Sequence, residues 1–144
     1  MMKVLLFAIT LLLTPLSAYN GFISMDASGR GISFFKGSFT EALDKAKLEH
    51  KPLFLDFYAK WCGPCKALKR STFNDKEAGA YFNKNFVNYS IDAESKEGKE
   101  IAASYGVKSY PSMFIVDSTG KVLARTTGFQ KPYILINFGR RVIP

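Results

Sequence analysis

Trp61-Cys62-Gly63-Pro64-Cys65-Lys66 holds both cysteines of this 144-residue chain, after an apolar run from Leu53 to Ala59 and at the start of a predicted helix. A disulfide needs its two Cβ atoms roughly 3.5–4.5 Å apart, and a C-x-x-C in the first turn of a helix brings its side chains within that reach. A ring closed over so few residues adds little chain-entropy stabilisation. The value of the bond therefore lies in opening and closing. A structural zinc site takes four Cys or His ligands, and the chain offers Cys62, Cys65 and His50 at most. Dithiol redox chemistry is favoured over a metal site or an inert pair. His50, away from the motif, is expected to be a surface residue.

Cys62, at a helix start and near its partially positive end, ionises more easily than a free thiol. It is the expected nucleophile: it attacks a substrate disulfide, and Cys65, one turn deeper, resolves the mixed disulfide. Gly63 and Pro64 set the spacing, since proline fixes its φ and has no N–H to donate. Asp56 is the third candidate. A carboxylate among Leu53, Phe54, Leu55 and Phe57 is costly to bury ionised, so its pKa should rise. Beneath the pair it would pass a proton to or from Cys65. The alternative is a strand-edge carboxylate facing water.

The chain around these residues alternates strand and helix patterns. Ile32 to Phe35 is a predicted short strand, and Ser38-Phe39-Thr40-Glu41 a capping box for a helix with Phe39, Ala42, Leu43 and Ala46 on one face. Leu53 to Ala59 suits a strand buried on both sides. The cysteine helix runs to about Arg70, and Asn74 is the expected cap of the next, which ends near Phe82. A strand at Phe86 to Ile91, a helix at Lys99 to Tyr105 closed by Gly106, and a hairpin around Asp117-Ser118-Thr119-Gly120 follow. Pro132 opens a final helix. This order predicts an α/β fold, a central mixed β-sheet with helices on both faces.

Residues 1–18 have the layout of a secretory signal peptide: Lys3, the apolar Val4 to Leu13, the break at Thr14-Pro15, and Ala18 before the expected cut. The apolar stretch is shorter than the ~20 residues of a spanning helix, so a retained anchor is the weaker reading. Removing residues 1–18 leaves 126 of the 144 residues, enough for one domain with a real core. Residues 19–31 form an expected N-terminal lead-in and 32–144 the domain. One cysteine pair does not make a disulfide scaffold. The net charge of +8 is scattered along the chain, without the basic stripe of a nucleic-acid binder, so no nucleic-acid partner is expected.

The run Asp56-Phe57-Tyr58-Ala59-Lys60-Trp61-Cys62-Gly63-Pro64-Cys65-Lys66 resembles the strand-to-active-site segment of the thioredoxin family. Tyr105-Gly106-Val107-Lys108-Ser109-Tyr110-Pro111-Ser112 resembles the family's cis-proline loop, and Thr127-Gly128-Phe129 its segment before the last helix. Lys51-Pro52 and Ser71-Thr72-Phe73-Asn74-Asp75 are most similar to one branch. It contains the C-terminal domain of membrane thiol:disulfide interchange proteins and their secreted single-domain relatives. The resemblance implies a thioredoxin-like fold, a cis Pro111 packed on the cysteines, and a substrate strand pairing with the Tyr110 backbone. Trp61, Tyr58 and Phe129 would form an apolar rim around Cys62, although Trp61 could equally be a buried packing residue. Tyr110 is bulkier than the family's usual residue, which would narrow the substrate range. Gly-Pro between the cysteines is typical of the family's reductants. One departure stands out: Asn88 occupies the position where the family often places a lysine near the buried acid.

The resulting expectation is a secreted or periplasmic thiol:disulfide oxidoreductase that reduces protein disulfides. It would work as a monomer, without cofactor or metal, on disulfide-containing protein substrates and with a membrane dithiol as electron donor. The alternatives are a disulfide oxidase or isomerase, or a thioredoxin-like binding module that holds partner chains on the apolar rim.

Overall fold

The computed structural model describes residues 31–144, so the expected signal peptide at 1–18 and nearly all of the 19–31 lead-in lie outside the described residues. Its elements in order are α1 (Phe39–Glu49), β1 (Leu53–Tyr58), α2 (Gly63–Arg70), α3 (Lys76–Asn85), β2 (Val87–Asp92), α4 (Lys96–Ser104), β3 (Ser112–Val116), β4 (Val122–Thr127) and α5 (Pro132–Arg140). The sheet runs β2-β1-β3-β4. β1 pairs in parallel with β2 and antiparallel with β3, and β3 pairs antiparallel with β4. The result is the expected mixed sheet, with β1 in its interior.

Alternation along β1 assigns its side chains to two cores. Leu53, Leu55 and Phe57 pack with Ala42 and Ala46 of α1 and Ala102 of α4. On the other face, Phe54 packs with Leu68 of α2, Phe82 of α3 and Leu135 of α5. Phe54 and Phe82 meet at 4.6 Å between ring centroids. Asp56 is two residues on from Phe54 and shares that second face, beneath α2. Burial on both faces explains why the β1 sequence is nearly all apolar, and why Asp56 stands out within it.

The local signals mostly act as their chemistry dictates. Ser38 Oγ accepts the Glu41 N–H, and Glu41 Oε2 accepts the Ser38 N–H at 2.7 Å, a reciprocal capping box at α1. Asp117 Oδ1 accepts the N–H groups of Thr119 and Lys121, which shapes the β3–β4 turn, and Gly120 there takes the left-handed φ of 87°. His50 caps the end of α1 and is exposed.

Three expectations need correction. Residues 32–35 form no strand. The Phe35 N–H reaches Asn88 O, while the backbone of Ser33 is engaged by the side chains of Asn83 and Asn88. Side-chain amides have replaced the ladder. Helix α3 is capped by Asp75, whose carboxylate accepts from Glu77 and Ala78, and not by Asn74. Helix α4 begins three residues early, at Lys96, because Ser95 Oγ accepts the Gly98 N–H and starts it there.

Candidate active site

Cys62 is the N-cap of α2, with extended backbone (φ −71°, ψ 109°), and Pro64 sits in the first turn, where its missing N–H costs no helical hydrogen bond. Cys62 and Cys65 are joined as a disulfide with their Cα atoms 5.3 Å apart. The Cys65 N–H donates to Cys62 Sγ at 3.1 Å. That donor and the helix terminus both favour negative charge on the Cys62 sulfur. Residue exposure does not separate the two cysteines in the way the sequence suggests. Cys62 is 2% exposed and Cys65 7%, so Cys65 is not the more shielded residue. Cys65 instead borders a cavity of about 810 Å³ that also reaches Asp56, Ser90, Lys66, Lys69 and Phe73.

Asp56 is buried at 5% exposure, which excludes the water-facing alternative. Burial pushes its pKa up to about 7; the hydrogen bond from Ser90 and the positive charge of Lys69 pull the other way. Ser90 Oγ donates to Asp56 Oδ2 at 2.9 Å, and Oδ1 has no hydrogen-bond partner. Asn88, at the position compared with the family's lysine, is turned to other work. It pairs with Phe54 in the sheet register and its amide donates to Ser33 O and Asn83 Oδ1. Neighbouring groups for Asp56 therefore come from Ser90 and Lys69, neither of which the sequence reading assigned to it.

The residues expected at the rim come from separate parts of the chain. Trp61 is 67% exposed and Phe129 44%, so the buried-packing alternative for Trp61 does not hold. The Trp61 ring meets Tyr110 edge-on at 6.2 Å between centroids, and Trp61 Nε1–H donates to Glu94 Oε1 at 2.7 Å. Tyr58 and Tyr110 pack against the Cys62, Cys65 and Ala59 cluster. The Tyr110–Pro111 peptide is cis, Pro111 is fully buried, and Pro111 O accepts the Gly128 N–H at 2.8 Å, which ties the proline loop to the segment carrying Phe129. Gly63 and Pro64 are exposed. The sequence reading missed Glu94, whose only signal is a carboxylate shortly after β2. Among the described residues, no group of three or more His, Cys, Asp or Glu converges to hold a metal ion.

Comparison with known proteins gives the same frame. The family model described as a thioredoxin-like domain matches residues 39–143. The thiol:disulfide interchange protein DsbD of Vibrio vulnificus is 33% identical over 116 residues, covering 75% of this chain and 19% of that protein. DsbD of Neisseria meningitidis is 36% identical over 93 residues, covering 62% of this chain and 16% of the relative. The chain thus spans under a fifth of the length of these curated relatives. Among solved structures, a protein from Bacteroides thetaiotaomicron provisionally named a disulphide-isomerase is 41% identical, with a TM-score of 0.69, covering 79% of this chain and 95% of that one. The C-terminal domain of Neisseria meningitidis DsbD in its oxidised form is 29% identical, with a TM-score of 0.62, covering 76% and 97%. With a matched span that runs from α1 past α5 and a disulfide-forming Cys62–Cys65 pair at the start of α2, the chain belongs to the thioredoxin-like family of thiol:disulfide oxidoreductases.

Proposed function

We propose that this protein reduces disulfides in other proteins, outside the cytosol, through the Cys62–Cys65 dithiol. The observation that carries this reading is the placement of Cys62 Sγ at the cap of α2, accepting the Cys65 N–H. In the reduced protein the Cys62 thiolate attacks a substrate disulfide. One substrate sulfur bonds to Cys62 and the other leaves as a thiolate. Cys65 gives its proton to Asp56 and attacks Cys62 Sγ, which closes the internal disulfide and releases the second substrate sulfur. Two electrons pass to the substrate, and a membrane dithiol restores the pair. Trp61, Tyr110, Pro111 and Phe129 form the surface on which the substrate chain lies.

The direction is supported by Gly63-Pro64 between the cysteines, where no histidine is present. The place of action is supported by the signal-like pattern of residues 1–18 and by the similarity to the DsbD proteins. Among the described residues no helix is long and apolar enough to cross a membrane. A second reading, disulfide isomerisation, rests on the Bacteroides relative. Reduction of a model protein disulfide such as insulin by the protein and by Cys62→Ser tests the proposal. Turnover lost in the variant is the expected result; no turnover by the parent, with partner chains still bound, would favour a binding module.

A further inference from the structure

Asp56 has two oxygens in different situations. Oδ2 accepts from Ser90 Oγ at 2.9 Å, across the β1–β2 register in which Asp56 lies opposite Ser90. Oδ1 is buried without a hydrogen-bond partner, and Asp56 lines the cavity that Cys65 also lines. A protonated carboxyl needs one oxygen for the proton, and a hydroxyl donor already engaged at Oδ2 leaves that oxygen an acceptor.

We propose that Ser90 is a positioning residue for proton transfer: by holding Oδ2 it assigns Oδ1 as the oxygen that takes the proton from Cys65. This rests on the reading of Asp56 as the proton acceptor in the reductase.

Ser90 also stabilises the ionised carboxylate, since a hydrogen bond to the charged form favours that form. The other charged and titratable groups around the cavity are Lys66 and Lys69 of α2, Tyr58 at the end of β1 and Lys60 just after it, Tyr89 of β2, and Lys36 ahead of α1. The four lysines are exposed, and solvent screens exposed charges far more than a part-buried hydrogen bond at 2.9 Å. Ser90 is thus the neighbour whose loss Asp56 would feel most, in keeping with its larger pull than that of Lys69.

The test uses Ser90→Ala, which removes the hydroxyl, and Ser90→Thr, which keeps it. Asp56 is titrated by carboxyl carbon NMR in the disulfide form, in which neither cysteine titrates. Single-turnover reduction of a protein disulfide is followed over the same pH range. Ser90→Ala should raise the Asp56 midpoint by about one pH unit, shift the resolution profile by the same amount, and slow resolution at pH 7 about fivefold. Ser90→Thr should restore both. Should Ser90→Ala not fold, Ser90→Val, which suits a strand and matches threonine in shape, also removes the hydroxyl. An unmoved Asp56 midpoint in the folded variant would overturn the role of Ser90. A moved midpoint with an unmoved resolution profile would instead overturn Asp56 as the acceptor.

Discussion

The backbone N–H of Cys65 donates to Cys62 Sγ at 3.1 Å, so the second cysteine of the pair supplies the donor that stabilises charge on the first. Burial does not create this asymmetry, because both residues are buried. Helix geometry does. Cys62 caps α2, whereas Cys65 lies inside the helix and faces the Asp56 cavity.

Cys65→Ser should therefore accumulate stable mixed disulfides with substrate proteins, because attack by Cys62 survives and resolution does not. Cys62→Ser should accumulate few. Gel analysis of thiol-trapped complexes checks this, and equal yields from the two variants would contradict the assignment of roles.

Asp56→Asn should separate chemistry from stability. The folded pKa of about 7 lies above the ordinary 3.8, so the native state holds the proton more tightly than the unfolded chain. Stability associated with the acid is full below the unfolded value, declines as pH rises toward 7, and levels off above it. Replacing the acid by a neutral amide should gain little at pH 4 and on the order of 3–4 kcal/mol near pH 8, while resolution by Cys65 slows. Urea unfolding at the two pH values measures the difference; equal gains would contradict the buried, raised carboxyl.

Trp61 is the chain's single tryptophan, and its bond to Glu94 holds an exposed indole against Tyr110. Glu94→Ala should loosen the ring, lower the steady-state anisotropy of its fluorescence, and raise KM for a protein disulfide about two- to tenfold, as expected for loss of a hydrogen bond worth about 0.5–1.5 kcal/mol. Turnover of a small-molecule disulfide should be unchanged. Unchanged KM and anisotropy would show that Glu94 does not hold the Trp61 ring in place for substrate.

Asp75→Ala should destabilise the protein by about 1 kcal/mol through loss of the α3 cap. Asn74→Ala should cost no more than about 0.5 kcal/mol, as at a surface site away from any cap. Thermal unfolding of both variants distinguishes them, and the reverse order would restore Asn74 as the cap.

Asp56 was legible in the sequence because one carboxylate in an apolar strand has few places to go. The cysteine helix was legible through its N-cap position and Pro64. Ser90 and Lys69 were not. Their approach to Asp56 depends on the parallel register of β1 on β2 and on the rotation of α2 over the sheet, neither of which local sequence encodes. The same limit hid the fate of residues 32–35, whose strand-like composition yields to the amides of Asn83 and Asn88 reaching in from distant positions. At α3, two adjacent residues are both good caps, and only the backbone trajectory chooses Asp75.

The equilibrium potential of the Cys62–Cys65 couple, titrated against dithiothreitol and glutathione buffers, tests the reductase most directly. A reductant should lie near the roughly −270 mV of thioredoxin and far from the roughly −120 mV of a strong oxidant. A value above about −180 mV would contradict the account and make the protein an isomerase or an oxidase.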